Sequence, residues 1–149
     1  MTNQNDVVAL AGRIFIAVLF LTSGIGKIVA PAATQGYIAA MGLPAPSAAY
    51  LGSMSVELIG SLLLIVGFHS RIVASVLAAF ALLTAVFFHR NLADQNQMFH
   101  FLKNVAILGG LLQVAAFGAG KFSLDRLLGR SADLPAAALS RQNNVASAK

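Results

Sequence analysis

The sequence predicts an all-α fold, a four-helix transmembrane bundle, and three observations carry that prediction. The first is composition: 58% of residues are hydrophobic, 10% are charged and the mean hydropathy is +0.79, whereas soluble domains carry roughly 25% charged residues. The second is segmentation, because the apolar residues gather into four runs that each approach the ~20 residues needed to cross a hydrocarbon core. The third is the solvent: lipid offers the backbone no hydrogen bonds, so such runs must satisfy themselves as helices. A chain of 149 residues is expected to form one compact unit.

The first span runs from Val7 to Val29. The preceding MTNQND lacks a basic n-region, and although Ala30-Pro31-Ala32 resembles a cleavage site, the apolar run is too long for an h-region and contains Arg13 and Lys27. It therefore reads as a retained helix. The loop PAATQGYIAAMGLPAPS is more apolar than a solvated connection, and Pro31, Pro44 and Pro46 forbid a continuous helix through it. A short interfacial or re-entrant segment is expected around Ala32 to Met41, with Tyr37 in the headgroup zone where Tyr is enriched.

The second span, Ala48 to Phe68, and the third, Arg71 to Phe88, are separated by so few residues that they form a tight antiparallel hairpin. The fourth runs from Phe99 to Gly118; its ten Leu, Ile, Val and Phe residues contribute on the order of −3 to −6 kcal/mol to insertion and outweigh Lys103. After Asp125 the chain turns to Ser, Ala, Asn and Gln with scattered charges. The expected division is a membrane domain over 1–125 and a basic, disordered cytoplasmic tail over 126–149.

Charge excludes some functions and suggests a topology. Half of the ten basic residues, Lys121, Arg126, Arg130, Arg141 and Lys149, follow the last span, so the net charge of +5 reflects a juxtamembrane bias and not a nucleic-acid patch. An even number of spans puts both termini on one side, and this bias places them in the cytoplasm. With no cysteine, disulfides, thiolate metal sites and an internal thiol relay are all ruled out.

Arg13, Lys27, Glu57 and Lys103 lie within the spans, and each costs about 2.5 to 3.5 kcal/mol at mid-bilayer. Their spacing points them inward. Arg13, Phe20 and Lys27 recur every seven residues on the first span, beside Ser23 and Gly24. Ser53, Glu57 and Ser61 share one face of the second. His100, Lys103 and Asn104 stand at i, i+3 and i+4 on the fourth.

Rise along the helices places Lys27, His89, His100 and Lys103 toward the outer side, Glu57 near the middle and Arg13 toward the inner side. The expectation is a polar pocket opening outward above Glu57, with Lys27, Glu57, His89, His100, Lys103 and Asn104 as ligand-binding candidates. Glu57 and Lys103 are the catalytic candidates. A bland reading stands beside this one: Glu57 with Arg13 or Lys103 is a buried ion pair that fixes bundle register. Three cations against one carboxylate favour an anionic or quinone-like ligand whose oxygens need donors. His89 and His100 have no third ligand at convincing spacing, so no metal site is expected. Gly24, Gly26, Gly60, Ser61, Gly109 and Gly110 read as positions of close helix packing.

The stretches RIFIAVLFLTSGIGKI, GYIAAMGLPAP, VELIGSLLLIVGFHSRIVA and FHFLKNVAILGGLL, taken in order, resemble the DoxX family of small four-helix membrane proteins. The resemblance covers about residues 10–125 and lies in the combination of SGxGK, GLP, a mid-span Glu and HFLKN. It implies an inner-membrane protein whose family polar positions are Lys27, Glu57, His100, Lys103 and Asn104. DoxD-like relatives are linked with thiosulfate:quinone oxidoreduction, and DoxX-type members with membrane assemblies that handle oxidative or thiol stress. The implied function is therefore a redox-associated subunit in which Lys103 and His100 donate to a quinone carbonyl and Glu57 relays protons. The competing expectation is a non-catalytic scaffold, with the tail recruiting a soluble redox or stress-response protein or anionic lipid. A homo-oligomer is compatible with both. Anion transport is disfavoured by the lack of an internal repeat or paired broken helices.

Overall fold

The computed structural model describes residues 4–129. Six helices follow one another: α1 (Gln4–Val29), α2 (Pro31–Ala40), α3 (Pro46–Val66), α4 (Ser70–Phe88), α5 (Gln95–Phe117) and α6 (Leu124–Leu127). The described residues contain no strand, and α1, α3, α4 and α5 are each long and apolar enough to cross a membrane. The all-α four-helix bundle is thus the fold, and the segment after the first span is a ten-residue helix.

Local chemistry sets the boundaries. Pro31 has no N–H to give to the carbonyl four residues back, so α1 stops and α2 starts with proline in its first turn. The carbonyl left without that donor belongs to Lys27, and the Tyr50 hydroxyl of α3 donates to it at 3.2 Å. The α3–α4 turn is closed by Gly67 at φ +69° and His69 at φ 45°. Asp94 caps α5, its side chain accepting from the Gln97 amide at 2.8 Å. A short helix, α6, capped by the Ser123 hydroxyl, straddles the expected division at residue 125. Most of the tail expected over 126–149 lies outside the described residues.

Packing is pairwise. α1 lies along α3, α4 lies along α5, and α3 joins the two pairs through α4, while α2 rests on α3. The α4 core face is built from small residues, Ala74, Ala78, Ala81 and Ala85, which let neighbouring helices approach closely. At Gly60 of α3 a Cβ would lie 2.9 Å from the Leu77 side chain, so that crossing admits only glycine without repacking. Phe20, Leu64, Leu77, Ile107 and Leu111 complete the core. Large apolar side chains such as Phe15, Val29 and Phe117 point outward, each more than three-quarters exposed, as lipid-facing residues do.

Candidate functional site

Apart from Ser61, which bonds within its own helix at Leu58 O, the buried polar residues and their partners gather into two groups at opposite ends of the bundle. The first surrounds the α3–α4 turn. Arg13 is 1% exposed, and its Nη1 donates to the carbonyls of Leu64 at 2.9 Å and Ile65 at 3.3 Å, while Nη2 donates to Phe122 O at 2.5 Å. Leu64 and Ile65 belong to the last turn of α3, whose carbonyls have no partner within the helix, so a cation there answers both the orphan acceptors and the helix dipole. Asp125 does the converse for α4: its carboxylate accepts from the His69 amide at 2.7 Å, the Ser70 amide at 2.8 Å and the Ser70 hydroxyl. Burial alone would raise the Asp125 pKa, but the bonds from Ser70 and His69 outweigh it and hold the carboxyl below its ordinary value.

Arg13 therefore does not pair with Glu57 as the sequence suggested. Fourteen residues separate it from Lys27, roughly 21 Å along the axis, and at its level α3 presents free carbonyls instead of a carboxylate. Lys103 does not pair with Glu57 either.

The second group is at the other end. Lys27 Nζ lies 2.7 and 2.6 Å from the two oxygens of Glu57 and 3.1 Å from Ser23 Oγ, whose hydroxyl donates to Glu57 at 3.1 Å. Glu57 is 4% exposed, so its carboxylate is buried and fully bonded, while the Lys27 side chain stays 18% exposed. His89, just past α4, stacks on His100 of α5 with ring centroids 4.9 Å apart, and its Nδ1 meets Gln97 Oε1 at 2.9 Å. Lys103 Nζ is 3.1 Å from His100 Nδ1, and the Asn104 amide donates to His100 O at 3.1 Å. The two histidines lie face to face and do not converge on a point.

The expected excess of three cations over one carboxylate is not what this arrangement holds. Arg13 serves the far end, Lys27 is bonded to Glu57, and Lys103 faces a histidine.

Two cavities flank the Lys27–Glu57 pair. The larger, about 760 Å³, lies between α1, α2, α3 and α4. Tyr37, Ile38, Leu43, Val56, Leu83 and Phe87 supply its apolar walls, with Ser23, Lys27, Glu57, Thr84 and His89 at its polar end. The smaller, about 400 Å³, lies between α1, α4 and α5, with Glu57 of α3 in its wall, and is bordered by Thr22, Ser23, Glu57, Thr84, Lys103 and Asn104. Ser23, Glu57, Phe80, Thr84 and His89 line both. His100 borders neither cavity directly; it holds Lys103 and stacks on His89.

Sequence reasoning missed Thr84, Phe80 and Tyr50 at this end and Asp125 at the other. Tyr50 carries a signal, since it stands seven residues before Glu57 and so shares its face. Asp125 carries a weaker one, a Ser-x-Asp start to a short helix.

These features define a small four-helix membrane protein with a buried lysine–glutamate pair set between an apolar and a polar chamber. The DoxX family model matches residues 8–90, and the chain belongs to the DoxX family. It is 41% identical over 130 residues to the inner membrane protein YqjF of Escherichia coli K12, covering 87% of this chain and 98% of that protein. It is 33% identical over 125 residues to the inner membrane protein YphA of the same organism, covering 80% and 89% of the two chains. No solved structure matches.

Proposed function

We propose that this protein is an inner-membrane, redox-associated subunit that binds a lipophilic, carbonyl-headed ligand of the quinone class in the larger chamber. The observation that carries the reading is the form of that chamber: about 760 Å³, within the roughly 300–1,000 Å³ of small-molecule sites, apolar along its length and polar at one end. Such a cavity suits a ring with an apolar tail, entering from the bilayer beneath α2. Lys27 spends its three N–H groups on Glu57 and Ser23, so it sets the local field and holds the carboxylate in place. His89 is the group with capacity left for a ligand. With Nδ1–H donated to Gln97, neutral His89 offers Nε2 as an acceptor for a quinol hydroxyl, and the imidazolium offers a donor to a quinone carbonyl.

The inner-membrane location follows the two relatives, and the basic residues after the last span favour both termini in the cytoplasm. A reporter fused to the C-terminus and active only in the cytoplasm tests the orientation. For the ligand, the gently extracted protein should carry a quinone in stoichiometric amount, and His89→Ala or Lys27→Met should lose it. A parent protein that carries none and binds no short-chain quinone analogue in lipid nanodiscs would end this reading.

A non-catalytic scaffold is favoured by one observation, that Lys27, Glu57 and Ser23 satisfy one another completely, as a purely structural pair would. On that reading the protein copurifies with a soluble redox or stress-response partner and without quinone.

A further inference from the structure

The two chambers differ in what they ask of their contents. A charged or strongly polar side chain within a bundle almost always faces protein or a water-filled cavity, and the smaller chamber has several such groups within about 400 Å³. Lys103 is the decisive one. Its ammonium stands on α5 between Leu102 and Asn104, is exposed, and has a histidine as its contact, so water is the solvent that stabilises it. Thr22 on α1, Thr84 on α4 and Asn104 on α5 continue the polar lining inward from that mouth.

The chamber is closed below. A Cβ on Gly110 would lie 3.0 Å from Ile16, so α1 and α5 touch there, and nothing polar lines the cavity beneath that level. Leu19 and Phe20 line its deeper part, and Glu57 stands in its wall at the level of Ser23 and also lines the apolar chamber. A volume of about 400 Å³ holds several waters, each occupying about 30 Å³ in the liquid.

We propose that the chamber between α1, α4 and α5 is a water-filled vestibule through which Glu57 exchanges protons with the aqueous side at the His89 and His100 end of the bundle. The exchange is a simple acid dissociation. The Glu57 O–H bond breaks, the proton passes to a vestibule water, and the carboxylate is received by Lys27 and the Ser23 hydroxyl; no electron moves. The charged and titratable groups around the path are Lys27 on α1, Glu57 on α3, His89 after α4, and His100 with Lys103 on α5. Arg90 and Asp94 lie in the loop beyond the mouth. The vestibule is independent of the ligand reading, and only the delivery of its proton to a molecule in the apolar chamber rests on that reading.

The chain contains no cysteine, so single cysteines report local access without background. In lipid nanodiscs, Thr22→Cys, Asn104→Cys, Leu83→Cys and Asn91→Cys are treated with an anionic, membrane-impermeant methanethiosulfonate. Water access predicts that Thr22→Cys and Asn104→Cys react within about tenfold of the loop position Asn91→Cys. Leu83→Cys, on the apolar chamber, should react at least about a hundredfold more slowly, since the thiolate forms only in contact with water. Labelling of both vestibule positions as slow as that of Leu83→Cys would overturn the proposal.

A second measurement on the parent guards against misfolded variants. The infrared carboxyl stretch of Glu57, assigned by its disappearance in Glu57→Gln, should follow a pH jump within the mixing time. A Glu57 signal that ignores the medium at every pH would equally overturn it. Rapid labelling in a protein that binds no quinone sinks the ligand reading alone, whereas slow labelling in one that does sinks the vestibule alone.

Discussion

The partner of Glu57 can be measured by a double-mutant cycle. Lys27→Met removes both short contacts, at 2.6 and 2.7 Å, and leaves a carboxylate 4% exposed with one hydroxyl donor. Breaking a buried pair in this way costs about 3–5 kcal/mol. Glu57→Gln is milder. The Lys27 side chain is 18% exposed and lies in the last turn of α1, so its ammonium can turn toward water, and the expected loss is about 1–2 kcal/mol. The double variant removes both charges and should lose little more than Glu57→Gln, which sets the coupling at about 2–4 kcal/mol.

The control cycle pairs Arg13→Met with Glu57→Gln. The two groups share no partner in the structure, so their effects should add within about 0.5 kcal/mol. Reversible unfolding in bicelles, followed by steric trapping or helicity, supplies the four free energies of each cycle. Additivity of Lys27 with Glu57, or strong coupling of Arg13 with Glu57, would refute the assignment of the pair and the site built on it.

Three further outcomes follow from the same geometry. Gly67→Ala places a side chain at φ +69° and a Cβ within 2.5 Å of both Arg13 Nη1 and Ser123 Cβ, which should lower stability by about 2–5 kcal/mol; Gly36→Ala, with no atom within 4 Å, should not, and thermal unfolding in detergent compares them. Asp125 has a folded pKa below its ordinary 3.8, so its contribution is present above that value and is lost as the pH falls through it toward the folded value. Asp125→Asn should cost about 1.5–3 kcal/mol at neutral pH, and its deficit against the parent should shrink below pH 3.8; an equal deficit at both ends of an acid titration would contradict this. Tyr50→Phe removes the donor to the Lys27 carbonyl and should cost about 1 kcal/mol, with amide exchange rising at Pro31's neighbours if the α1–α2 junction depends on it.

The span pattern was legible because one solvent imposed it. Hydropathy located all four crossing helices, and the prolines marked the starts of α2 and α3, since Pro31 and Pro46 act through the missing N–H of their own residue. The helical faces were legible too: spacing turns Lys27, Ser23 and Glu57 inward, and in the structure they meet. Which cation meets Glu57 was not legible. Spacing along one helix gives direction, but the level at which two helices meet depends on loop geometry, here the short turn at Ala30 and the length of α2. The expected excess of positive charge rests on cations within the spans, and Asp125 escapes that count because it lies beyond the last span and returns to the bundle only through the fold of residues 118–125.

That omission bears on how the chain divides its labour. Arg13 and Asp125 are buried and charged, yet every contact they make is to the ends of α3 and α4 or to the segment around Ser123. They cap a turn too tight to cap itself: its N-terminal residue at α4, His69, has a left-handed backbone and gives no side-chain cap. Burial and charge are therefore not enough to mark a functional residue in this fold. Lys27 and Glu57 differ in place: both border the chamber of about 760 Å³, whereas Arg13 borders neither chamber beside Glu57 and Asp125 borders only a smaller cavity, about 210 Å³, at the α3–α4 turn. The distinction is testable within one protein. On the proposed ligand reading, loss of the Arg13 contacts should act on stability and leave quinone occupancy per folded molecule unchanged, whereas His89→Ala should act on occupancy and spare stability. If Arg13→Met emptied the larger chamber at matched folding, the two ends would be coupled through α1 and this division would fail.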